Sequence, residues 1–131
     1  MAEKYLIDTS AVIKYLNETF PAPGIAFLDK ILNEESTISF IAEIELQVWS
    51  PSDPKDIRIY QSFVEQSTVL GLNQDIIRET IRIRRQDKLK LPDSLIAATA
   101  IVYDKTRVAD NDKDFMRVSG LRYINPGRIH N

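Results

Sequence analysis

Asp8, Glu45, Asp93, Asp112 and Asp114 share one placement: each follows the end of a strand-like run or lies near the start of a helix that follows one. In a parallel α/β sheet such points open onto the same edge, where ligands bind, so residues far apart in sequence are expected to converge. Carboxylates gathered in one place are costly unless cations neutralise them. Hard divalent cations take oxygen ligands, so acids without histidine or cysteine partners point to Mg²⁺ or Mn²⁺ and to phosphate chemistry. Two such ions about 3.5–4 Å apart activate water and stabilise a leaving oxygen in phosphodiester cleavage.

The rest of the composition removes competing chemistries. The 131 residues contain no cysteine and one histidine, His130, which excludes disulfides, thiolate sites and cysteine nucleophiles. A Ser-His-Asp hydrolase or a histidine-rich zinc site is disfavoured on the same count. Asp110-Asn111-Asp112-Lys113-Asp114 starts like a calcium loop, but Phe115 stands where glycine is needed and Leu121 where a bidentate Glu is needed. A haloacid-dehalogenase-type phosphatase needs Asp-x-Asp, and Ser10 occupies the second position. Hydrophobic and charged fractions of 44% and 27% describe one ordinary globular domain over residues 1–131. No apolar run approaches the ~18 residues of a membrane span and no signal-peptide pattern opens the chain, so a cytoplasmic protein is expected. The net charge of −2 argues against nucleic-acid binding through bulk charge alone. Cations bound at the acids would make the surface facing a phosphate much less negative.

For the acids to meet, short strands and helices must alternate. Tyr5, Leu6 and Ile7 read as a strand buried on both faces, ending at Asp8. Thr9 or Ser10 then offers an N-cap hydroxyl to a helix patterned by Ala11, Val12, Ile13 and Leu16, and Ser10 reads equally as a hydrogen-bond donor to Asp8 or a partner of a metal-bound water. Pro21, Pro23 and Gly24 mark a turn, and Ile25, Leu28, Ile31 and Leu32 a second helix. Ser36 to Ile41 alternates as a second strand; Ala42 to Trp49 returns to helical spacing and carries Glu45. Beyond a break at 50–54, a helix over Ile57 to Val64 and a strand over Thr68 to Leu72 lead to Asn73. Asn73 caps a helix running from Gln74 to about Lys88. Leu91-Pro92-Asp93 opens the next helix with proline in its first turn. Arg107-Val108-Ala109 and Leu121 to Ile124 are the fourth strand and a fifth, edge strand, and Asn125-Pro126-Gly127 ends the ordered domain. This alternation predicts an α/β fold in three layers, a central parallel sheet of four to five strands flanked by helices.

Four segments carry a resemblance: Leu6-Ile7-Asp8-Thr9-Ser10, Ile38-Ser39 through Glu45-Leu46, Leu91-Pro92-Asp93-Ser94-Leu95-Ile96-Ala97-Ala98-Thr99-Ala100, and Asn111-Asp112-Lys113-Asp114-Phe115. In this order they resemble the PIN-domain family, most closely the VapC-type toxin ribonucleases of bacterial and archaeal toxin–antitoxin pairs. Each motif alone is weak, whereas four in order across nearly the whole chain are specific. The resemblance implies a metal-dependent endoribonuclease with Mg²⁺ or Mn²⁺ as cofactor. Asp8, Glu45, Asp93 and Asp112 match the catalytic, metal-binding acids, and Asp114 a further metal position. It also implies an RNA substrate, a cognate antitoxin and a homodimer.

The sequence departs from the family pattern at three places. Asp110 stands where Thr or Ser is usual, and Trp49 where a small residue follows the Glu-Leu motif. Glu43 lies two residues before Glu45 and points roughly the opposite way on a helix. The spacing from Ile38-Ser39 and the following Leu46 favour Glu45. The extra charge at Asp110 keeps a second reading open, a catalytically inactive PIN-fold module that binds RNA or protein. Arg78, Arg82 and Arg85 share one helix face, read first as solvated and otherwise as a phosphate-contacting stripe. Arg84 falls in an apolar arc and needs a partner or a route to water. Trp49 reads first as a core residue and otherwise as a base-stacking, dimer or antitoxin contact, and Tyr60 and Phe63 are further aromatic candidates for the dimer or antitoxin contact.

Overall fold

Tyr5–Ile7 form β1, and their side chains alternate between two packed layers. Ile7 joins Val12, Leu28, Ile38, Leu46, Tyr60 and Val108 in one core, whereas Leu6 packs with Ile96 and Ala100 in another. A strand covered on both faces is what the unbroken apolar run requires. A computed structural model describes residues 4–48, 53–110, 112–115 and 118–130. Along these the chain runs β1, α1 (Thr9–Leu16), α2 (Ala22–Glu34), β2 (Thr37–Ser39), α3 (Phe40–Val48) and α4 (Lys55–Gln66). It continues through β3 (Thr68–Leu70), α5 (Gln74–Asp87), α6 (Leu91–Val102), β4 (Thr106–Val108), α7 (Asp112–Phe115) and β5 (Tyr123–Ile124), then a 3₁₀ turn at Pro126–Arg128. Among the described residues, no helix is long and apolar enough to cross a membrane.

Among the described residues all strand pairs are parallel: Tyr5 pairs with Thr106, Arg107 with Tyr123, and Thr37 with Thr68. The expected single sheet of four to five strands is instead two ladders, β1-β4-β5 and β2-β3. β1 and β2 run beside each other without a shared ladder. Most of these strands are three residues long, and the twist between neighbours leaves so short a pair little length over which to stay in hydrogen-bonding register. The three-layer α/β architecture is unaffected. α1 to α4 cover the Ile7 face; α5 and α6 pack on each other and cover the other.

Three local readings change. α3 starts directly at Phe40, because the Ser39 hydroxyl accepts the Ala42 amide at 3.2 Å and ends the strand early. Pro23 and Gly24 lie inside the first turn of α2 rather than in a turn before it. Proline is tolerated there, and Gly24 is small because a Cβ would sit 2.3 Å from the Pro126 carbonyl oxygen. That approach also makes Pro126 a buried part of the fold, so Asn125-Pro126-Gly127 closes the domain against α2 instead of ending it. The helix over 74–87 matches its expectation, with the Asn73 side chain accepting from Ile76 N at 2.9 Å.

Candidate active site

Asp8 follows β1 at the carboxyl end of the sheet, its amide bonded to Val108 O at 2.8 Å. It occupies the N-cap position of α1, yet its side chain makes no capping bond. Instead Oδ1 accepts from Arg107 Nη2 at 3.0 Å and Oδ2 from the Ser10 hydroxyl at 2.9 Å. The carboxylate is 7% exposed as a residue, and a buried carboxylate needs such partners. Neither Thr9 nor Ser10 caps the helix; of the two readings of Ser10, the hydrogen bond to Asp8 is the one the structure has. Both already lie within α1, too far along to reach its leading amides, and are free to face the acids. Thr9 Oγ1 donates to Glu45 Oε1 at 2.6 Å.

Glu45 reaches the same place from α3, and Asp93 from the first turn of α6, where the helix dipole favours an acid. Asp8, Thr9, Ser10, Glu45, Asp93 and Asp110 line one cleft of about 330 Å³, with Ile13 and Phe115 completing its wall. Glu43 does not line it; its carbonyl accepts from Gln47 within the helix.

Asp112 is set apart. It lines a second cleft with Tyr123, Asn125 and Arg128 and pairs with the Arg128 guanidinium. One amide joins the two clefts: Asn125 Nδ2 donates to Asp110 Oδ1 at 3.0 Å and to Asp112 Oδ1 at 3.1 Å. That bond chiefly holds the Asp112 pKa below the usual carboxylate range, with help from Tyr123 and Arg128 and against desolvation. Asp110 is paired with Lys14, whose hydrogen bond lowers the Asp110 pKa against desolvation. The expected convergence of all four acids on one pocket is therefore met by Asp8, Glu45 and Asp93. Asp112 is turned aside by Asn125 and Arg128. The side chain of Asp114, and all of Trp49 and Asn111, lie outside the described residues.

Arg107 is the residue the sequence reading passed over. It sits mid-strand in β4, 0% exposed, on the face toward α6. Its Nη1 donates to Asp93 O at 3.1 Å, its Nη2 lies 3.9 Å from Asp93 Oδ1, and its guanidinium stacks on the Phe115 ring. The signal was available: a charge inside a strand covered on both faces requires a buried partner. Lys14 and Asn125 carried no comparable signal, since the one reads as a solvated helix residue and the other as part of a turn.

The cleft's donor set suits a hard divalent cation, being carboxylate and hydroxyl oxygen throughout. Among the described residues, Arg107 pairs with Asp8 and approaches Asp93, and Lys14 pairs with Asp110. As they lie, no three acidic or histidine side chains among the described residues enclose an ion. Three arginines of α5 have partners away from the cleft. Arg78 pairs with Asp75, and Arg82 with Glu79, Gln86 and the Ser119 carbonyl, as a solvated face would. Arg84 finds the Leu89 carbonyl rather than an acid. Tyr60, expected as an interface anchor, is 2% exposed and belongs to the core around Leu46 and Val64.

The PIN domain family model matches residues 5–121. No curated protein matches the sequence significantly. A toxin–antitoxin complex from Klebsiella pneumoniae has a chain of similar fold, TM-score 0.74 at 24% identity, covering 96% of this chain and 100% of that one. A DNA-bound VapBC from Salmonella typhimurium gives TM-score 0.78 at 21% identity, covering 95% and 99% of the respective chains. FitAcB from Neisseria gonorrhoeae gives 0.76 at 23%, again covering 95% and 99%. At these identities the likeness is one of fold.

Proposed function

The chain belongs to the PIN domain family, and from that membership we propose that it is a divalent-metal-dependent endoribonuclease, the toxin of a toxin–antitoxin pair. The observation that carries this reading is the meeting of Asp8, Glu45 and Asp93, from three separate elements, in one cleft at the carboxyl end of β1. Those three residues would hold Mg²⁺ or Mn²⁺. A cation held there supplies Lewis-acid stabilisation of a phosphodiester oxygen and lowers the pKa of water. The protein's own part is to bind and orient. Ser10 fixes one oxygen of Asp8 and Arg107 the other; Thr9 steers Glu45 inward. Asp112 adds acid at the neighbouring cleft, joined through Asn125.

RNA is the proposed substrate, as the resemblance to the family's ribonucleases implies. A cognate antitoxin and a homodimer complete the proposal; solved structures of similar fold include toxin–antitoxin complexes. Asp93→Asn leaves the Asp8–Arg107 pair intact and tests the chemistry directly. Cleavage of RNA with Mg²⁺ or Mn²⁺ should fall at least about 100-fold, because even outer-shell partners of a metal cost about 10–100-fold. Cleavage at the wild-type rate by a folded Asp93→Asn protein would remove the acids from the machinery.

A second reading, a non-catalytic PIN-fold binding module, draws on one observation. Arg107 and Lys14 already neutralise two of the cleft's acids. The same assay separates the two, since a binding module retains RNA without metal-dependent products.

A further inference from the structure

The chain turns from α5 into α6 between Arg84 and Lys90. That corner carries four cations, Arg84, Arg85, Lys88 and Lys90, against one acid, Asp87, in a chain of net charge −2. Asp87 is half-buried, with Oδ2 turned inside. Leu89, between the two lysines, is buried in the core cluster that includes Phe115, a wall residue of the acidic cleft. Asp93, three residues after Lys90, lines the same cleft. Residues three apart on a helix share a face, so the corner adjoins the Asp93 side of the cleft.

Local structure accounts for two of the four cations. Arg84 and Arg85 stand in the last turn of α5, where a cation suits the helix dipole, and Arg84 donates to the Leu89 carbonyl. It does not account for the lysines. Lys88 ends α5 in the left-handed region, φ 55° and ψ 31°, where glycine is usual and a side chain is strained. Lys90 holds the N-cap position of α6 without a capping bond. Ser, Thr, Asp or Asn is preferred there, and a cation sits at the wrong end of the dipole. Both lysines are exposed. Departures from local preference that bring the fold no gain are expected where function is served. Farther up α5, Arg78 and Arg82 are matched to Asp75 and Glu79, whereas Arg85, Lys88 and Lys90 form no ion pair among the described residues. The unmatched charge gathers at the end beside Asp93.

Resting on the reading of the chain as a ribonuclease, we propose that Lys88 and Lys90, with Arg85 one turn earlier, form a ledge that takes the phosphates of an RNA strand where it enters the cleft beside Asp93. Contacts of this kind fix the position of a strand without reading its sequence. The ledge supplies locally the attraction that the chain's overall charge does not, and it acts on strand binding rather than on the bond being cleaved.

The test measures binding of a dye-labelled, mixed-sequence single-stranded RNA by fluorescence anisotropy over a KCl series, in chelator to hold off metal-dependent cleavage. Each single-strand phosphate neutralised contributes about 0.7 to the slope of log Kd against log[KCl]. Lys88→Gly and Lys90→Ser each install the residue type that the backbone position prefers, so each should melt no lower than wild type. Each should nevertheless reduce the slope by about 0.7, and the double variant by about 1.4. A lysine that served only the fold would not lose RNA affinity while the fold kept its stability. Lys88→Arg and Lys90→Arg should keep the slope. Arg78→Gln, about 15 Å up α5 by the helix rise, lies beyond a Debye length of about 10 Å and should also keep it. An unchanged slope in the double variant would overturn the ledge, and the ribonuclease reading would stand if wild type still cleaved RNA with Mg²⁺. An equal fall for Arg78→Gln would overturn the ledge too, by showing a diffuse attraction. RNA that wild type cleaves with Mg²⁺ but does not bind in chelator at low salt would overturn the ledge alone. Slopes that fall as expected without cleavage by wild type would keep the ledge and overturn the chemistry. Wild type that neither binds nor cleaves RNA would overturn both.

Discussion

At the scale of single residues, the internal pairing of acids with cations decides what each substitution does. From carboxylate crowding alone, Asp8→Asn should relieve repulsion and raise the metal-free melting point. The buried Arg107 reverses that sign. Removing the Asp8 charge leaves a guanidinium in the core with only the more distant Asp93 carboxylate, and breaking a buried pair from one side costs about 3–5 kcal/mol. Asparagine keeps an amide oxygen for one hydrogen bond, so the lower end, about 3 kcal/mol, is expected in urea unfolding of the metal-free protein. An Asp8→Asn protein as stable as wild type would show that the pair contributes little. Asp110 gives a prediction in pH. Its pKa is lowered in the folded state by Lys14, so its contribution to stability is fully present above the unfolded-state pKa of about 3.9. It is lost as pH falls through the lower, folded value. The melting-point difference between wild type and Asp110→Asn should therefore be constant above about pH 5 and shrink below about pH 4. A difference independent of pH from 2 to 6 on the test scale would assign the effect to packing instead.

At the scale of elements, the site depends on a contact far from any acid. α2 and the Pro126–Arg128 turn touch where Gly24 meets the Pro126 carbonyl, and a Cβ there would stand 2.3 Å from that oxygen. Alanine would favour the helix by roughly 1 kcal/mol, yet forcing rigid backbone apart costs about 1–3 kcal/mol. Because the oxygen belongs to the main chain and cannot rotate away, Gly24→Ala should be destabilising on balance, by about 1–2 kcal/mol in denaturant titration. The displaced turn carries Asn125, whose amide bridges Asp110 and Asp112. RNA cleavage should then fall as well, although Gly24 touches neither acid. Full activity in a destabilised Gly24→Ala protein would show that the bridge does not position the acids. The same contact explains why Pro23-Gly24 misleads as a turn signal. Both residues are tolerated in a first helical turn, one for its fixed φ and missing donor, the other for its missing side chain.

At the scale of the whole molecule, the proposed antitoxin needs an exposed surface beside the acids. On α3, which carries Glu45, Ile44 and Val48 stand one turn apart and are 54% and 72% exposed. Tyr60, the aromatic expected in this role, is spent in the core. An antitoxin segment laid on α3 would cover those two side chains and bring a basic group to the acids beside them. Val48→Asp should weaken antitoxin binding at least about 10-fold, by burying an unpaired charge, while leaving Mn²⁺ binding unchanged. Equal antitoxin affinity in titration calorimetry would move the contact to another face. For the homodimer, sedimentation at tens of micromolar should give twice the chain mass of 15.0 kDa, and a clean monomer there would count against it.

Much of the fold was determined by the chain's order alone. The apolar run ending at Asp8, the Asn73 cap and the Leu91-Pro92 helix start are local signals, each produced by physics within a few residues, and the structure keeps all three. Their alternation also implied a shared sheet edge, and with it the meeting of Asp8, Glu45 and Asp93. What tertiary structure alone decided is which cation stands beside which acid. Arg107 and Asp8 are 99 residues apart, Lys14 and Asp110 are 96 apart, and Asn125 reaches Asp112 from a segment that reads as a chain end. No periodicity encodes such pairs, because a side chain's partner is set by the register of β1 on β4 and by how the last turn docks on α2. The sequence named the acids; the strand register and that docking assigned their counter-charges, and they turned Asp112 away from the other three.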